Sequence, residues 1–151
     1  GAGANIVFSC DIILAATTAK FVQSFAKVGL IPDAGGTYHL TQILGPLRAK
    51  AWAMTATPIT AQTAQDWGLV WQCCEPDALM ETAQKMSADL ARGATLGLAQ
   101  TKHAIHTAGQ LDLEAHMALE AEIQRACGQS ADYREGVTAF LDKRPAQYSG
   151  S

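Results

Sequence analysis

Apolar and polar positions divide the chain into an early part of short runs and a late part of long periodic ones. Ile6-Val7-Phe8-Ser9-Cys10 follows a Gly-Ala turn and predicts a short helix. Asp11-Ile12-Ile13-Leu14-Ala15-Ala16 has the length and β-branched character of a buried strand, and Lys20-Phe21-Val22-Gln23 predicts a second, shorter one. Three glycines and a proline within residues 28–37 require a loop. Beyond it, helices are expected over 38–44, 47–54 and 60–67, stopped by Gly45-Pro46, Thr57-Pro58 and Gly68 in turn. A strand over 69–74 follows. Residues 76–92, 96–108, 113–127 and 133–141 then carry apolar side chains at three- and four-residue spacing, which predicts a helical layer. Strands and short helices followed by helices that must pack on something define an α/β class.

The 151 residues are the length of one ordinary domain, and 48% apolar residues suffice for a core. Only 17% are charged, and the net charge is −3, which argues against a general binder of nucleic acid. The four cysteines, Cys10, Cys73, Cys74 and Cys127, are spaced for neither a disulfide framework nor zinc knuckles. No apolar run has the length of a membrane span and no signal-peptide pattern opens the chain, so a cytoplasmic protein without a membrane partner is expected. The chain starts at Gly1 and runs straight into Ala2-Gly3-Ala4-Asn5, as the middle of a domain would, so a preceding segment is expected.

Four places carry candidate chemistry. Small residues at Gly1-Ala2-Gly3-Ala4 let backbone N–H groups approach a ligand oxygen, or simply make a tight turn. In Pro32-Asp33-Ala34-Gly35-Gly36-Thr37, Asp33 is either a helix cap or Asx-turn residue, or a carboxylate base beside a pocket. In the second case apolar neighbours such as Phe25, Val28 and Ile31 would desolvate it. His103, His106 and His116 raise the question of a metal, but no compact ligand motif accompanies them, and none is expected. Lys143 and Arg144 at a helix end fit either the helix dipole or a phosphate-bearing ligand. Cys73-Cys74 reads as buried strand.

Taken in order, Gly1-Ala2-Gly3-Ala4-Asn5, Cys10-Asp11-Ile12, the loop of residues 29–37, Ala61-Gln62-Thr63-Ala64 with Trp67-Gly68-Leu69-Val70, and Glu135-Gly136, Ala139-Phe140 and Lys143-Arg144-Pro145 resemble the enoyl-CoA hydratase/isomerase (crotonase) family over the whole chain. The resemblance implies the C-terminal part of a crotonase-type β/α spiral core with the active-site loop over 1–75. A helical trimerisation region and the C-terminal tail would occupy 76–151. It implies an acyl-CoA substrate, no separate cofactor, a homo-oligomer (trimer or hexamer when full length), and a hydratase of the same pathway as a partner.

It also assigns roles. Hydratases of the family carry two glutamates where this chain has Asn5 and Phe25, so the resemblance implies isomerisation with the single carboxylate of Asp33. The Ala2 N–H would supply one oxyanion donor, the other lying N-terminal to this sequence. Gly1, Gly3, Asn5, Phe25, Ile31, Pro32, Lys143 and Arg144 would contact substrate, with Asn5 orienting either the turn or a ligand group. Lys20-Phe21-Val22, Pro32-Asp33, residues 67–72 and residues 130–137 are most similar to isomerases of aromatic-acid breakdown. The implied reaction is conversion of a ring-1,2-epoxyphenylacetyl-CoA to an oxepin thioester. A Δ3,Δ2-enoyl-CoA isomerase of fatty-acid oxidation and a non-catalytic, truncated assembly fragment are the alternatives.

Overall fold

The computed structural model describes Gly1–Ser151 as two units, Gly1–Gln84 and Lys85–Ser151. The junction falls inside a helix. Glu75 is tied back to Thr17 by a side-chain hydrogen bond, and the chain turns directly from there through a 3-10 helix, Pro76–Ala78, into the next long helix.

In the first unit, helix α1 is Ala2–Phe8 and starts four residues earlier than the apolar pattern predicts. The Gly1 carbonyl accepts the N–H groups of Ala4 and Asn5, so the Gly-Ala run is itself helical. Strand β1, Leu14–Ala16, and β2, Lys20–Phe21, follow. A 3-10 helix, Ser24–Val28, ends on left-handed Gly29. Helix α2, Gly36–Thr55, consists of two segments broken at Gly45 (φ 71°, ψ 163°), where Pro46 also lacks the N–H that would continue the ladder. This matches the two separate helices expected there.

Strand β3, Ile59–Thr60, leads into α3, Ala61–Asp66, whose N-terminus is capped by Thr60 Oγ1 accepting from the Thr63 N–H. Strand β4, Gln72–Cys74, pairs in parallel with β1, Leu14 opposite Gln72 and Ala16 opposite Cys74, while β2 and β3 pair antiparallel. The strands are shorter than the apolar runs. The N–H groups of Leu69 and Val70 turn to the Ala64 carbonyl at the end of α3, which removes them from β4. Phe8, Leu40, Trp52, Ile59, Leu69 and Val70 form the core, with the Phe8 ring 5.4 Å from Phe21 and 6.1 Å from Trp52. Cys74 is buried; burial also pushes the Cys73 thiol up, and all four cysteines are free.

Helix α4, Leu79–Ala91, crosses the junction. In the second unit α5, Thr95–Thr107, packs on α6, Leu113–Gly128, and α6 on α7, Ala131–Leu141. Asp112 and Ser130 cap α6 and α7 through their side chains. The tail beyond α7 folds back on that helix. The buried Asp132 carboxylate accepts the N–H groups of Ser149 and Gly150, and the Tyr148 ring lies against Gly136, where a Cβ would come within 3.3 Å of its hydroxyl. No helix is long and apolar enough to cross a membrane.

Candidate active site

The loop between the 3-10 helix and α2 turns on two consecutive left-handed residues, Ala34 (φ 48°) and Gly35 (φ 74°). For alanine that conformation costs on the order of 1 kcal/mol or more. The Asp33 carbonyl just before it accepts two hydrogen bonds, from the Gly36 N–H at 2.7 Å and from Asn5 Nδ2 at 3.0 Å. Gly36 is glycine for a reason of space, because a Cβ there would sit 2.2 Å from Asn5 Nδ2.

The side chain of Asp33 takes no part in this. Gly35 is the N-cap of α2 and no side chain caps that helix, so the capping role open to Asp33 is not the one it performs. Its carboxylate is exposed and has neither a hydrogen bond nor an ion pair. It lies within electrostatic reach of the start of α1. There the Gly1 nitrogen donates to the Val22 carbonyl.

At that end of α1 the N-cap is Gly1, with no capping side chain. The first-turn N–H groups of exposed Ala2 and Gly3 have no carbonyl within the helix to bond. A free carboxylate and free N–H donors thus belong to adjoining segments, an arrangement suited to moving a proton while accommodating negative charge on an oxygen.

Asn5 is fully buried, with Nδ2 on the Asp33 carbonyl and Oδ1 accepting from Gln23 Nε2 at 2.7 Å. Its amide is thus engaged by two hydrogen bonds within this chain, one of them to the turn. Phe25 is buried, Pro32 is half-buried, and Gly1 is partly covered. The apolar wall expected around Asp33 is open in this chain, since Val28 is 72% and Ile31 78% exposed. Gln23, fully buried, was not visible as a site residue. Between Val22 and Ser24 in a short strand-like run it carries no mark of burial, and only its partner on α1 reveals it.

Lys143 and Arg144 belong to the second unit. Lys143 (φ 54°) is exposed at the end of α7. The Arg144 guanidinium forms a two-bond ion pair with Glu135 (2.7 and 2.9 Å) and a looser contact with Asp142. Arg144 and the Gln147 N–H hold the Glu135 carboxyl at about 2. His116 pairs with Glu120, and no group of three His, Cys, Asp or Glu side chains is arranged to hold a metal ion.

The family model for enoyl-CoA hydratase/isomerase matches residues 1–151. The chain belongs to the enoyl-CoA hydratase/isomerase family. It is 45% identical to the 1,2-epoxyphenylacetyl-CoA isomerase of Escherichia coli and 44% identical to a protein of Rhodobacter capsulatus named "Probable enoyl-CoA hydratase", each over 99% of this chain. It spans 57% and 58% of those relatives' lengths. The crystal structure of an enoyl-CoA hydratase from Polaromonas superposes with a TM-score of 0.94 at 34% identity, over 99% of this chain and 58% of that one. The architecture is accordingly a crotonase-type α/β fold, mostly helical in the part present here.

Proposed function

We propose that the protein containing this chain is an isomerase of CoA thioesters, with Asp33 as the group that moves the proton. The observation that carries this is the free Asp33 carboxylate, with no second carboxylate in the positions that would complete a hydratase pair: position 5 holds a buried amide and position 25 a buried ring. One carboxylate can take a proton from one carbon and return it to another, and no water need be activated. While the proton is on Asp33, charge rests on the thioester oxygen. The N–H groups at the start of α1 then stabilise it.

The specific reaction we propose is conversion of ring-1,2-epoxyphenylacetyl-CoA to the oxepin thioester, supported by the similarity to the E. coli isomerase. Steady-state turnover of that epoxide and of an aliphatic 3-enoyl-CoA by the full-length protein tests it. Preference for the epoxide is the expected result. Faster turnover of the 3-enoyl thioester points to the fatty-acid reaction, and hydration of a 2-enoyl-CoA overturns the isomerase reading. We further propose a homo-oligomeric assembly, because the second unit leaves Phe140 83% and Leu141 72% exposed.

A further inference from the structure

We propose that Gln23 and Asn5 are positioning residues for Asp33, acting as a directed hydrogen-bond relay that fixes the Asp33 backbone to α1. The proposal rests on Asp33 being the proton-transferring carboxylate. Each amide in the relay has its orientation forced by the one before it. The Asp33 carbonyl can only accept, so Asn5 must turn Nδ2 toward it; Oδ1 then faces Gln23, which must offer Nε2. A flip at either amide would set two acceptors or two donors against each other.

The relay leaves one group unprovided for. Gln23 Oε1 is buried with no hydrogen-bond partner, and leaving a buried acceptor unpaired is unfavourable. A leucine at position 23 would fill similar space without that cost, but it has no N–H to give Asn5. The glutamine is thus explained by the direction of its hydrogen bond and not by core filling.

The relay is also placed where it can matter. Both the Asn5 amide and the Gly36 N–H converge on the carbonyl immediately before left-handed Ala34, and the missing Cβ at Gly36 leaves room for the Asn5 amide. Asn5 lies on the same short helix as the uncapped N–H groups of Ala2 and Gly3. Fixing the Asp33 carbonyl to Asn5 therefore fixes the backbone from which the carboxylate extends relative to those donors, and so narrows the separation on which proton removal and charge stabilisation jointly depend.

The test uses the full-length protein and reads kcat and KM for its thioester substrate against pH, with thermal unfolding in parallel. Gln23→Leu keeps the volume and removes the N–H; kcat is expected to fall on the order of ten- to a hundredfold with KM little changed. Gln23→Glu places a carboxyl against Asn5 Oδ1, which can replace the lost N–H only when protonated. Its kcat relative to wild type should rise as pH falls, while the Gln23→Leu ratio stays flat, a difference that mere core filling does not produce.

A folded Gln23→Leu variant with wild-type kcat overturns the relay, as does a Gln23→Glu ratio independent of pH. If the Gln23 variants do not fold, Asn5→Ala, which leaves the Asp33 carbonyl to Gly36 alone, decides through the same split between kcat and KM. A wild-type protein without isomerase turnover overturns the reading of Asp33 itself, an outcome distinct from a working enzyme indifferent to position 23.

Discussion

Asp33 contributes nothing visible to the stability of its own loop; the contacts there are made by its carbonyl, not its carboxylate. Asp33→Asn should therefore leave the unfolding free energy within about 0.5 kcal/mol. It should lower turnover by roughly 10²–10⁴-fold if the carboxylate moves the proton, with thioester affinity nearly unchanged. Turnover and thermal unfolding of the same preparation check both halves. This residue was legible in the sequence because a proline, an aspartate and two glycines crowd into one short turn. Its brace was not: Asn5 and Gln23 are ordinary polar residues along the chain, and their meaning appears only when three separate segments meet.

Elements were legible where punctuation was strong. Gly45-Pro46 marked the break in α2, and the side chains of Thr60, Asp112 and Ser130 mark the starts of α3, α6 and α7. Strand lengths were not, because an apolar run says what is buried and not what is paired. At α7 the ion pair of Glu135 with Arg144 gives a pH dependence with a definite sign. The Glu135 carboxyl is lowered from 4.5 to about 2 in the fold, so the unfolded chain binds more protons between those values. The stabilisation is complete above pH 4.5 and is lost as pH falls through about 2. Glu135→Gln should remove this dependence and loosen the tail at neutral pH. Hydrogen exchange at Gln147, whose N–H bonds to Glu135, is the sensitive measurement; equal protection in both proteins at pH 6 would count against the link.

At the scale of the molecule, the two units differ in what they bury. The first has an aromatic and aliphatic core; in the second only Ala139 and Asp132 are fully buried, while Phe140, Leu141, Leu113 and Ile105 face outward. Exposed apolar surface of this kind favours association, so sedimentation of the full-length protein should show an oligomer, a trimer or a dimer of trimers. A monomer at micromolar concentration would sink that expectation. The sequence indicated helices there, but periodicity does not reveal whether an apolar face is covered from within the chain or by another copy.

The parallel pairing of β1 with β4 also bears on how the first unit comes to be folded. Ala16 and Cys74 lie opposite each other although roughly sixty residues separate them along the chain, and closing so long a loop is entropically unfavourable before the pairing returns any stability. Local helices such as the two segments of α2 can form early, on their own residues. The β1–β4 ladder must wait until the chain between has collapsed, and the Thr17 N–H that bonds the Cys74 carbonyl waits with it. The slow step in refolding this unit is then the meeting of its two distant strands, and until they meet both present open edges on which a neighbouring chain can pair.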